Sequence, residues 1–160
     1  MLAIHASGST TIGVFNNNPK EASPTMIRSD DTGKLVLRAA LGVLILLHGI
    51  SKLNSGVGFI SSTLAAHDLP GALAYLVFIG EILAPVLLIA GIYTRPAAWV
   101  VVINMLFAIW LVHTKTLWML DSRTGGWTLE LQGMYLFGAL AIAFLGAGRF
   151  SLAGSGGRMN

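Results

Sequence analysis

Ala72 to Tyr93 reads ALAYLVFIGEILAPVLLIAGIY, and Glu81 is the single charged residue in that apolar run. The run has the length of a membrane-spanning helix, roughly 17–25 residues. A carboxylate near the middle of such a helix costs several kcal/mol unless it is paired, protonated or turned toward water, so it marks a functional site by default. The rest of the chain repeats this arrangement. His48, Lys52, Asn104, His113 and Glu130 lie in or beside its other apolar runs.

Composition supports a membrane protein. The chain is 54% hydrophobic and 11% charged, with a mean hydropathy of +0.73, whereas a soluble domain carries about 25% charged residues. The net charge of +3 comes from basic residues scattered singly beside the apolar runs, which fits membrane orientation and not a nucleic-acid surface. There is no cysteine, so disulfides, thiolate metal sites and a cysteine nucleophile are excluded.

Four spans follow from the apolar pattern: Leu35 to Leu53, Ala72 to Tyr93, Ala97 to His113 and Leu129 to Gly146. The expected fold is all-α, a four-helix transmembrane bundle. Thr94-Arg95-Pro96 makes a tight turn between the second and third spans, with proline at the start of the next helix. A Gly/Ser loop joins the first two spans, and Trp118 and Trp127 read as interfacial anchors in the last loop. Lys20, Arg28, Lys34, Arg38, Arg95, Arg149 and Arg158 lie on one side, against Lys52, Lys115 and Arg123 on the other. Seven against three places both termini in the cytoplasm. Glycine and alanine recur along the spans, as expected where helices must approach closely without a hydrophobic drive.

Residues 1–33 form a polar stretch without apolar periodicity, and they read as a disordered tail. Met26 offers an alternative start of translation. Residues 34–152 make the membrane domain, and 153–160 a short flexible tail.

With the cytoplasmic side as base, His48 lies roughly 20 Å up span one at 1.5 Å per residue, and Lys52 one turn further on the same face. Glu81 descends roughly 13 Å from the outer end of span two. His113 and Glu130 lie at the outer interface, and Asn104 near the middle of span three. The polar groups therefore gather in the outer half. Structural roles compete with functional ones: Arg38 and Lys52 as snorkelling side chains, Asn104 as a helix–helix hydrogen bond, and Glu81 as half of a pair that fixes register. Pro85, one turn after Glu81, frees a carbonyl near it. No motif for a catalytic metal, a nucleotide or a dinucleotide occurs. Haem held by His48 and His113 is disfavoured by a depth difference of nearly two turns.

Several short motifs, in order, carry a family likeness. They are Arg38-Ala-Ala-Leu-Gly42, His48-Gly-Ile-Ser-Lys52-Leu53, Gly80-Glu-Ile-Leu83, Gly91-Ile-Tyr-Thr-Arg95, a Gly-Gly-Trp-Thr-Leu-Glu130 loop end and Gly146-Ala-Gly-Arg-Phe-Ser-Leu152. Together they resemble the DoxX family of small bacterial membrane proteins. The resemblance implies a four-helix protein of the inner membrane. Relatives are linked to thiosulfate:quinone oxidoreductase subunits and to membrane-associated oxidative-stress complexes. By similarity, His48, Lys52 and Glu81 occupy the family's recurrent polar positions. With no cysteine here, a sulfur redox step would need a partner protein or a bound quinone.

The leading expectation is a membrane subunit of a redox system that binds a quinone or a similar amphipathic molecule. Glu81 and His48 would be the groups that exchange a proton with it, and Lys52, Asn104, His113 and Glu130 would line its site. Trp110, Phe107 and Tyr135 would supply apolar walls. The other readings are a small proton-linked transporter, which would need to oligomerise, and a non-catalytic assembly or scaffold protein. Whether the chain is an enzyme stays open at this level. The partners implied are the bilayer, a redox protein and a second copy of the chain.

Overall fold

The computed structural model describes residues 24–154 and 159. Among these residues five α-helices run in order: α1 Pro24–Ser55, α2 Gly58–Ala65, α3 Ala84–Ala90, α4 Thr94–Val112 and α5 Glu130–Leu145. A 3-10 segment, Gly71–Leu76, and a π-helical turn, Ile79–Leu83, lead into α3. Among the described residues no strand forms beyond an isolated antiparallel bridge between Leu120 and Trp127.

Three of these stretches, 30–55, 71–90 and 94–112, are long and apolar enough to cross a membrane. Only about a third of each apolar stretch is buried inside the molecule. The outward apolar surface therefore needs an apolar solvent, as an integral membrane protein has. The fourth apolar helix, α5, has 16 residues, about 24 Å of helix against a hydrocarbon core of about 30 Å. It packs against α4 and α1.

In the core, Leu41 and Ile45 of α1 meet Ala84 and Leu88 of α3, Val101 and Met105 of α4, and Ala139 and Ile142 of α5. Small residues set how closely the backbones approach. A Cβ at Gly42 would lie 2.7 Å from Ile89 Cγ1 and 3.0 Å from the Pro85 carbonyl oxygen. One at Gly49 would collide with the carbonyl oxygen of Glu81. α3 stops at Gly91, whose φ of 70° suits glycine at a helix C-terminus.

The π turn has a local cause. Pro85 has no N–H and cannot close the regular bond to the Glu81 carbonyl, four residues back. Ala84 N–H reaches instead to the Ile79 carbonyl, five residues back. The carbonyl of Glu81 is left facing Gly49 of α1.

Three sequence expectations change. The first helix begins at Pro24, so residues 24–33 are helical and not tail; Asp31 is buried and its carboxylate accepts the Arg149 N–H at 3.1 Å. Arg38 does not snorkel: it is fully buried, and its Nη1 donates to the Leu88 and Ile89 carbonyls at 2.8 and 2.6 Å. Its Nη2 donates to the Phe150 carbonyl, and Leu152 N–H donates to Ala90. The guanidinium thereby donates to carbonyls at the end of α3, where the regular helical bonds run out, and the segment after α5 is strapped across Arg38 of α1 and the C-terminal end of α3. Third, the loop between the first two spans contains α2. The remainder of the tail assigned to residues 1–33, residues 1–23, and residues 155–158 and 160 of the C-terminal tail lie outside the described residues.

Candidate functional site

α1 carries His48 and Lys52 four residues apart, on one face of the helix. The π turn carries Glu81 toward that face. Lys52 Nζ donates to both carboxylate oxygens of Glu81, with the Oε2 contact at 2.5 Å. The Glu81 side chain is 5% exposed and that of Lys52 29%, so the carboxylate is the enclosed member of the pair. Of the two partners the sequence offers Glu81, the structure selects Lys52. His48 instead meets Tyr135 of α5, with Nε2 3.2 Å from the phenolic oxygen and the rings edge-to-face.

Asn104 of α4 lies on the other side of the π turn. A Cβ at Gly80 would come within 2.5 Å of its Cγ, so the amide occupies space that only glycine leaves free. Asn104 Nδ2 is buried and has no hydrogen-bond partner among the described residues. An unsatisfied buried donor costs about 1–3 kcal/mol. His113 ends α4, and its Nε2 lies 3.2 Å from Nε2 of Gln132 on α5.

These groups share one cavity of about 570 Å³, inside the range of small-molecule sites. His48, Lys52, Glu81, Asn104, His113, Gln132 and Tyr135 supply its polar wall; the remainder is apolar. Five of the six expected site residues are thus brought together. Glu130 is not among them. It is exposed, and its Oε1 accepts the Trp127 N–H at 3.1 Å, closing the turn that starts α5. Of the expected apolar walls, Phe107 and Tyr135 line the cavity, whereas Trp110 stands outside it against Phe107 and His67. Trp127 donates its indole N–H to the Leu117 carbonyl at 2.7 Å and covers Gly133, which makes it a loop brace; Trp118 is 91% exposed.

Two contributors escape a sequence reading. Gln132 sits beside a helix start and looks like an ordinary surface residue. The outer wall, with Phe59 and Ile60 of α2 and Leu73 of the 3-10 segment, comes from a stretch too short to register as a span. Its one signal is the apolar run Gly58-Phe-Ile-Ser-Ser-Thr-Leu-Ala65 between turn residues.

No curated protein and no solved structure matches this chain. A model of the DoxX family matches residues 33–114, just over half of the chain. The matched stretch contains α2, all of α3 and α4, the π turn, nearly all of the membrane part of α1, and with them five of the cavity's polar residues. α5, with Gln132 and Tyr135, lies beyond it. The chain belongs to the DoxX family.

Proposed function

We propose that this protein is a four-helix subunit of a redox system in the bacterial inner membrane, with both termini cytoplasmic, and that its cavity binds a quinone or a similar amphipathic molecule. The observation that carries the reading is the buried amide donor of Asn104, left without a partner in the wall of an apolar cavity that also holds the Lys52–Glu81 pair. A site with an unmet donor and an adjacent ammonium suits a ligand whose head carries acceptor oxygens, as a quinone ring does. Asn104 would donate to one such oxygen, and Lys52 would turn one of its three protons toward another. His48 and Tyr135, already hydrogen-bonded, would form the route by which a proton reaches or leaves the head. The apolar lining would hold the remainder of the molecule. α5 is the fourth crossing in this reading: its 16 helical residues are extended by the Trp127–Leu129 turn, and the basic residues distribute seven to three in favour of an inward N- and C-terminus.

The test is direct binding. Purified protein in mild detergent is titrated with a decyl-substituted benzoquinone and followed by ligand absorbance. Saturable binding that Asn104→Leu weakens at least tenfold, while Phe137→Ala on the lipid-facing side of α5 leaves it unchanged, supports the assignment. Absence of saturable binding to the wild-type chain rejects it.

A second reading rests on the ion pair itself. Lys52 and Glu81 satisfy one another, so the cluster would serve as a register lock in a scaffold protein. In that case Glu81→Gln loses stability and no quinone binds.

A further inference from the structure

The outer wall of the cavity is incomplete on one side. The 3-10 segment Gly71–Leu76 packs on α2 and on the π turn, and its Ala74 joins Leu64 of α2 and Leu111 of α4 in a small buried cluster. Past that cluster a slot is left between the segment and α4, marked by cavity-lining side chains that are also exposed. Leu76 and Ile79 border one side, Ile103 and Phe107 the other, and Phe59 of α2 overhangs the outer end. All five line the cavity, yet all are between 41% and 69% exposed. Residues that face both an internal space and the outside form a doorway. On a membrane-spanning pair of helices the outside at this height is lipid, because Leu76 and Phe107 lie only one to two turns below the outer ends of their helices.

We infer that this slot is a lateral portal, through which the hydrocarbon tail of a membrane-borne ligand passes while its head rests at Glu81 and Asn104. Every bordering side chain is apolar, so a charged or hydrogen-bonding chain would be desolvated there without compensation. The slot thus selects a molecule with an uncharged apolar tail, delivered from the outer half of the bilayer. It also explains how an apolar cavity with a polar end is filled without crossing water. The inference rests on the amphipathic-ligand reading of the cavity but does not require the head to be a quinone.

The experiment uses the full chain in phosphatidylcholine vesicles containing a long-chain fatty alcohol with an alkyl diazirine a few carbons from its hydroxyl head. After irradiation, adducts are located by mass spectrometry. The expected result is labelling of cavity residues around Glu81 and Asn104, reduced at least fivefold by the pair Leu76→Trp and Ile103→Trp, with labelling of lipid-facing Phe137 unchanged. Because the chain has no cysteine, a second version avoids bulk in the folding step. Leu76→Cys and Ile103→Cys are bridged after folding by a bifunctional methanethiosulfonate, which should block cavity labelling until reductant restores it. Labelling of Phe137 without labelling of the cavity in the wild-type chain would overturn the portal, as would cavity labelling indifferent to the bridge. Slot-dependent labelling without benzoquinone binding would remove the quinone and leave the portal standing.

Discussion

The Lys52–Glu81 pair invites a double-mutant cycle. Removing one partner of a buried pair costs about 3–5 kcal/mol, whereas replacing both by apolar residues of similar volume is often neutral or stabilising. The two members differ in enclosure, at 29% exposed for the Lys52 side chain and 5% for Glu81. Once its partner is gone, Lys52 in the last turn of α1 can swing toward the outer interface on its flexible stem. Glu81 has no such escape. Glu81→Gln should therefore cost near the lower end, about 3 kcal/mol, and Lys52→Met near the upper end, about 5 kcal/mol. The double variant Lys52→Met with Glu81→Leu should return to within about 1 kcal/mol of wild type. The assay is equilibrium unfolding in mixed micelles, with helical circular dichroism followed against the mole fraction of dodecyl sulfate. If the losses simply add in the double variant, the two residues are not coupled and the geometry of the site is wrong.

Three other outcomes are expected. Gly49→Ala would drive a methyl group into the Glu81 carbonyl and should cost about 1–3 kcal/mol by overpacking, read as a lower melting temperature; Gly58→Ala, with open space around it, is the silent control. Arg38→Lys should not rescue the loss of at least about 3 kcal/mol expected for Arg38→Met, because a single ammonium cannot span the carbonyls of Leu88, Ile89 and Phe150 as the guanidinium fork does; equal stability of the lysine variant and wild type in the same unfolding assay would refute that role. Reporter fusions after Leu53 and Lys115 should read as periplasmic, and those after Arg95 and Arg149 as cytoplasmic; a periplasmic signal at Arg149 would discard the four-crossing topology.

The apolar helices were legible from the sequence because lipid makes each one a local problem. A spanning segment must satisfy its own backbone and present apolar side chains outward, and both requirements are written in consecutive residues. Glu81 stood out for the same reason. The surroundings of Arg38 were illegible for the opposite reason. Arg38 is held by carbonyls 50, 51 and 112 residues away, and nothing in its neighbourhood distinguishes that fate from snorkelling. Glu130 was misleading in another way: a carboxylate at the first turn of an apolar helix looks like a site residue, yet three residues earlier Trp127 supplies the N–H that it caps.

Partner choice at Glu81 lay between these cases, and the π turn decides it. Each residue of a regular helix turns the side chain by about 100°, so a turn that holds one extra residue swings everything before it onto a different face. The sequence contains the cause, since Pro85 cannot donate to the Glu81 carbonyl, and Gly80 leaves room for the altered path. It does not contain the angle, which depends on Gly49 of α1 receiving the freed carbonyl. One backbone irregularity therefore accounts for three features of the site: the aim of the Glu81 carboxylate toward Lys52, the close approach of α1, and the wedge of the Asn104 amide against Gly80 with its donor unmet. A helix without the irregularity would be easier to form. π turns concentrate where function needs a side chain moved off its regular face, and here the moved side chain is the one carboxylate at this depth of the bundle.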